Sequence, residues 1–288
     1  MRAIEPVTTG YVEREGVKLF WELFGEGEPT IALLPTWSIA HSRHWKFQVP
    51  YLARHYRVIT FDGRGCGRSD RPTEPAAYSY LEFAADALAV LDVTGTDRAV
   101  LAGLSLGAVW GLQVAIDAPG RVIGVVCLGP AVAFAPMPHR TVYPFDEPLT
   151  TTEGWAKYNR YYWLDGGYAD FLDFFFGRFF PEPHSTKQIE DFVGWGLEIE
   201  PTTLVATNDG VAPVGSGPFR DVCPRVSVPV LVIHGDRDEM SAHANGEGLA
   251  ELTGGELVTI AGGGHGVLAR DPVVVNRAIR RFVDRVAR

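Results

Sequence analysis

Two hydrophobic periodicities divide this chain. Over residues 11–24, apolar and polar positions alternate on either side of Glu15-Gly16, in short runs around Val12-Glu13-Arg14 and over 17–24. That alternation predicts an antiparallel hairpin at a sheet edge. Beyond Gly25-Glu26-Gly27 it gives way to nearly continuous apolar runs at 31–34, 58–61, 99–102, 122–128 and 228–233. Such runs suit strands covered on both faces. Residues 45–54, 81–92, 106–118 and 272–286 carry apolar positions at helical spacing. Strands alternating with helices predict an α/β fold, a mostly parallel sheet with helices on both faces.

One region breaks the alternation. From about 134 to 221 the strand-like runs disappear and prolines gather at Pro136, Pro138, Pro144 and Pro148. Aromatics crowd Trp155, Tyr158, Tyr161, Tyr162, Trp163 and residues 171–180. A structureless loop of that length does not suit a compact domain. The pattern predicts an inserted helical cap over 134–221, with a proline-rich start near 136–148 and a glycine-rich end near 210–217. Residues 1–133 and 222–288 are then the core domain. Each aromatic side chain can bury about 150–250 Å². Most are expected to form the core of the cap, and a few to line an apolar pocket suited to an acyl chain, a lactone or an aromatic ring.

Composition narrows the picture mainly by exclusion. The 288 residues are 46% hydrophobic and 21% charged, and a chain of this size buries roughly 75% of its extended surface without staples. A net charge of -9, with no cluster of Lys and Arg, argues against nucleic acid as a partner. Cys66, Cys127 and Cys223 are too scattered for a disulfide framework or a zinc site, so plain thiols in a reducing compartment are expected. The N-terminus has no apolar leader core, and no segment approaches about 18 uninterrupted apolar residues. A cytoplasmic protein with no membrane partner is the expectation.

Candidate chemistry sits where strands end. In Gly103-Leu104-Ser105-Leu106-Gly107 a serine lies between glycines two residues before and two after. A strand delivering the chain to Gly103 and a helix leaving near Leu106 would force Ser105 into a tight, exposed turn. Side chains at either glycine position would collide with the neighbouring strand or helix. The alternative is a helix-capping serine with incidental glycines. After the apolar run ending at Ile233 comes His234-Gly235-Asp236-Arg237-Asp238, and after Leu257-Val258-Thr259-Ile260 comes a glycine turn holding His265. Ser105, Asp238 and His265 thus each follow a strand, in the chain order expected of a nucleophile, an acid and a base on such a sheet.

On these residues, and on Phe61-Asp62-Gly63-Arg64-Gly65-Cys66-Gly67-Arg68-Ser69-Asp70, the chain resembles the α/β-hydrolase superfamily. The resemblance is to its capped members, near the esterases, cofactor-free haloperoxidases and carbon-carbon bond hydrolases. It covers most of the chain outside the cap and implies a mostly parallel eight-stranded sheet. It also implies Ser105 as nucleophile, His265 as base and Asp238, rather than Asp236, as the acid, with Asp236 bonding its own loop. Oxyanion donors would be the backbone amides of Leu106 and Trp37. The sequence departs from the family at Pro35 and Thr36, which stand where His and Gly are usual, and Pro35 has no amide hydrogen. The oxyanion hole is therefore expected to have an unusual shape, unless the triplet is a loop variant without functional meaning.

Other motifs have plainer readings. Gly63, Gly65 and Gly67 lack the spacing of a phosphate loop and read as a turn. His41 and His44 lack a third ligand for a metal and read as surface or supporting histidines. His184 could face the pocket, although a helix capped by Ser185 or Thr186 after the prolines explains the same residues. No cofactor and no metal are expected.

The expected activity is hydrolysis of an ester or lactone bond in a moderately apolar small molecule, through an acyl-serine. The same three residues would also serve carbon-carbon bond hydrolysis, thioester hydrolysis, acyl transfer or perhydrolysis. Epoxide and haloalkane hydrolysis are disfavoured because they need a carboxylate nucleophile. A ligand sensor that keeps the fold is the alternative from another class. The expected partner is a small-molecule substrate, with monomer and homodimer both open.

Overall fold

The computed structural model describes residues 3–140, 142–211 and 218–288. Most of the glycine-rich stretch expected at 210–217 therefore lies outside the described residues. Eight strands, β1 (Thr8–Arg14), β2 (Val17–Phe24), β3 (Thr30–Leu33), β4 (Arg57–Phe61), β5 (Ala99–Leu104), β6 (Val122–Leu128), β7 (Val230–Gly235) and β8 (Glu256–Ile260), form one sheet. Their order is β1-β2-β4-β3-β5-β6-β7-β8. β2 pairs antiparallel with β1 and β4, and every other pairing is parallel. The apolar runs became the middle strands: every residue of β3 and β5 is buried.

The helices are α1 (Val49–Leu52), α2 (Tyr80–Val93), α3 (Leu106–Asp117), α4 (Arg160–Tyr162), α5 (Tyr168–Phe179), α6 (Thr186–Gly196), α7 (Pro201–Val211), α8 (Pro218–Val222), α9 (His243–Thr253), α10 (Val267–Arg270) and α11 (Pro272–Val286). Alternate strand residues feed opposite faces. Ile31, Val58, Val100 and Ile233 share a core with Val275, Ile279 and Phe282 of α11. Ala32, Ile59, Leu101 and Val232 pack with residues of α2, α3 and α9. The spacing of Val275, Ile279, Phe282 and Val283 puts all four on one face of α11, which is the face it buries.

Residues 45–54 do not form the single helix their pattern predicts. A 3-10 turn over Ser42–Trp45 is followed by the four-residue α1. Pro50 near the start of α1 has no amide to hydrogen-bond back into the preceding turn, so the two cannot merge.

Helices α4 to α8 all lie between β6 and β7, where the strand-like runs stop. Tyr168, Phe171, Leu172, Phe175, Phe176 and Phe179 make the buried stripe of α5, and they belong to the same core as Trp37 and α11. Across the sheet, the chain passes from β3 to β4 on one side and then to β5 on the other. Loops leaving β3 and β5 therefore diverge, and a crevice opens at the carboxyl ends of these strands.

Candidate active site

Ser105 is the single residue between β5 and α3, with φ 57° and ψ -116°. An L-residue pays for that conformation in strain, and the surroundings hold it there. The Ser105 amide donates to the Leu128 carbonyl at 2.8 Å. A Cβ on Gly103 would lie 2.2 Å from the Gly107 carbonyl carbon, and one on Gly107 would lie 2.2 Å from the Pro35 carbonyl oxygen. Strand end, helix start and the loop after β3 thus meet at contacts that only glycine permits. The Ser105 side chain makes no capping bond to α3 and instead lines a cavity.

Asp238 follows β7, and His265 follows β8. The Asp238 Oδ2 lies 2.6 Å from His265 Nδ1 and 3.0 Å from His234 Nε2. Its Oδ1 accepts from the amides of Met240 at 2.7 Å and Ser241 at 2.9 Å. Burial alone would push this carboxyl up, but the His265 charge and the hydrogen bonds from His234 and His265 hold it well below the usual carboxylate range. Asp238 is therefore an ionised, fully bonded acceptor. Asp236 instead accepts from the Gly262 amide at 2.7 Å, a bond within the loop framework.

The His265 loop is fastened from the inserted segment. The amides of His265 and Gly266 donate to the Phe179 carbonyl at 3.1 and 3.2 Å, and the Phe179 ring stands edge-on to the imidazole with centroids 4.6 Å apart. With Nδ1 taken by Asp238, Nε2 is the nitrogen left for proton exchange. His265 and Ser105 line the same cavity, and the side-chain hydrogen bond His265 makes is to Asp238.

On the opposite wall, the loop after β3 is pinned at several points. The Leu34 amide donates to Ala102 at 2.8 Å, the Thr36 hydroxyl to the Leu104 carbonyl at 3.0 Å, and the Trp45 indole to the Leu34 carbonyl at 2.8 Å. The Trp37 indole donates to Thr207 of α7 at 2.9 Å, which ties this loop to the inserted segment. Thr36, Trp37, Ser105 and Leu106 all line the cavity. As the first residue of α3, Leu106 has an amide with no acceptor inside its helix.

Two residues were not assigned from sequence. His234 is fully buried, and its Nε2 lies 3.0 Å from both Asp238 Oδ2 and the Ser241 carbonyl. Both are acceptors, so Nε2 carries the proton and His234 holds the Asp238 carboxylate in place. The four-residue spacing from Asp238 was the available signal. Arg140 lines the cavity beside Tyr158 and Asn208, and nothing local in the sequence marked it.

The remaining candidates lie elsewhere, and the surface reading of two histidines is corrected. His41 and His44 are buried rather than at the surface. His44 Nδ1 lies 2.9 Å from the His41 carbonyl, and burial holds its imidazole down to about 4. Among the described residues no cluster has the makings of a metal site. His184 is exposed with φ 65° and is not part of the cavity lining. Ser185 stands at the N-cap of α6, but its hydroxyl donates backward to the Glu182 carbonyl at 2.8 Å. All three cysteines are free and buried.

The alpha/beta hydrolase fold family matches residues 29–272, and the chain belongs to that family. It is 28% identical over 280 residues to the AB hydrolase superfamily protein YisY of Bacillus subtilis, across 93% of this chain and 96% of that one. Among solved structures, the enol-lactonase from Burkholderia xenovorans LB400 superposes with a TM-score of 0.80 at 21% identity, over 96% of this chain and 100% of the other. Est816, described as an N-acyl homoserine lactone degrading enzyme, superposes with a TM-score of 0.76 at 28% identity, over 95% and 100% of the two chains.

Proposed function

We propose that the protein is a serine hydrolase that cleaves an ester or lactone bond of a small molecule through an acyl-serine at Ser105. One observation carries this reading: Ser105, strained between Gly103 and Gly107, lines the same cavity as a histidine whose far nitrogen is held by a buried carboxylate. In this reading His265 Nε2 takes the Ser105 proton as Oγ attacks the carbonyl carbon. Asp238 keeps the tautomer and stabilises the imidazolium. The Leu106 and Trp37 amides meet the developing oxyanion. His265 then protonates the leaving oxygen, and water enters by the same route in reverse to free the acid. The segment 134–221 acts as the cap that roofs this site.

The lactone side of the proposal is supported by the lactone-degrading relative at 28% identity. A cytoplasmic location belongs to the same proposal, in keeping with three unpaired thiols. No helix among the described residues is long and apolar enough to cross a membrane.

A fluorophosphonate probe and a set of p-nitrophenyl esters and lactones test the reading. The probe is expected to label Ser105, and Ser105→Ala is expected to lose at least about 10⁴-fold in turnover. Absence of labelling in folded protein, with ligand binding but no turnover, would favour the sensor.

A further inference from the structure

The cavity has a volume of about 220 Å³, room for a compact substrate. Besides Thr36, Ser105 and His265, its polar lining is Arg140, Tyr158 and Asn208, and most of the rest is apolar or aromatic. Arg140 brings the only permanent charge among the described lining residues. One of its nitrogens, Nη1, donates to the Met240 carbonyl. Its guanidinium lies 5.2 Å from the Trp155 ring centroid and 6.0 Å from that of Tyr158.

Arg140 is half-buried, and a cation drawn that far out of water normally sits on a carboxylate. Among the described residues the charged or titratable groups acting on Arg140 are Tyr158 and Asp238, and burial pushes the guanidinium below the ordinary arginine range. Tyr158 is a phenol, and Asp238 already serves His265, His234 and two backbone amides. The guanidinium fork has five N–H donors, and among the described residues its hydrogen bond is the one to Met240, which leaves donors for a group that enters the cavity. The Tyr158 hydroxyl donates to Asn208 Oδ1, which fixes the orientation of that amide and leaves its Nδ2 as a further donor. A planar anion with two oxygens matches this set of donors.

Resting on the serine-hydrolase reading of the same site, we propose that Arg140 with Asn208 binds a carboxylate on the substrate. The preferred substrates are then small esters or lactones that carry a free carboxylate away from the scissile bond. Such a substrate gives the arginine its missing counter-charge, whereas a neutral one leaves the cation unpaired under an aromatic roof.

Two substrate pairs test this on either side of the ester. Mono-p-nitrophenyl adipate is compared with p-nitrophenyl hexanoate, and 4-acetoxybenzoate with its methyl ester. The wild type is expected to favour the anionic member of at least one pair by roughly 10–100-fold in kcat/KM, the range of a buried charge-assisted hydrogen bond. Arg140→Gln should collapse that ratio to about 1, and Arg140→Lys should restore part of it. A wild type that prefers the neutral member of both pairs overturns the proposal, as does Arg140→Gln lowering both members equally and keeping the ratio. Calorimetric titration of Ser105→Ala with adipate and with dimethyl adipate reads the anion site without turnover and without altering Arg140. Adipate should bind at least about tenfold more tightly, and equal or undetectable binding of both overturns the proposal. Failure of the hydrolase reading shows separately, as Ser105 left unlabelled by the fluorophosphonate.

Discussion

Asp238 shows how much one side chain can be asked to do. Its four hydrogen bonds place it, orient His265 and keep it ionised. Its folded carboxyl titrates below the ordinary unfolded value of about 3.9. A depressed carboxyl stabilises the fold at pH values above its unfolded pKa, and that contribution is lost as the pH falls toward the folded one. Asp238→Asn has no such titration. The gap in urea midpoint between wild type and Asp238→Asn is therefore expected to be full at about pH 5 and to narrow below about pH 4. Urea melts across that range check it, and a gap that stays constant or widens toward acid would contradict the assignment. The place of Asp238 after a strand was legible in the sequence, but its pairing with His234 was not. A histidine at the end of a buried strand gains meaning only when a loop folds the carboxylate back onto it.

Between elements, the decisive contact joins β5, α3 and the loop after β3. The glycines at 103 and 107 announced that contact in the sequence, since their spacing has little other use between a strand and a helix. Gly107→Ala would set a methyl group against the Pro35 carbonyl at 2.2 Å, and backbone on both sides leaves little room to yield. A loss of roughly 1–3 kcal/mol in urea unfolding is expected, as for other overpacked sites, with lower turnover because the Thr36-Trp37 wall moves. Strands were read well because burial on both faces writes itself as continuous apolar sequence. Helices of the inserted segment were harder: in residues 155–180 aromatics occupy buried and exposed positions alike, and Tyr161 and Leu164 are exposed. Periodicity then fails to mark boundaries. The 45–54 stretch misled for another reason, because a proline inside an otherwise helical pattern split it. Phe179 and Arg140 reach the cavity through tertiary contacts alone, which local pattern cannot register.

At the scale of the molecule, the sheet carries the loops of the candidate site and the segment between β6 and β7 supplies much of the wall of its cavity. Phe175, Phe176, Phe179 and Phe192 from α5 and α6 line the same cavity as Ser105 and His265. They also pack on one another and on Trp37, so this wall is a small aromatic core with one face turned to the cavity. A volume of about 220 Å³ falls below the roughly 300–1,000 Å³ of common ligand pockets. Short acyl chains are therefore expected to turn over faster than long ones in a p-nitrophenyl series from acetate to decanoate. Phe175 reaches both the cavity and Trp37, and Phe175→Ala should enlarge the space at the oxyanion side. The optimum should move toward longer chains, while stability falls by roughly 3–5 kcal/mol, as for other buried phenylalanines. An unchanged chain-length profile in a folded Phe175→Ala would mean that this wall does not set substrate size.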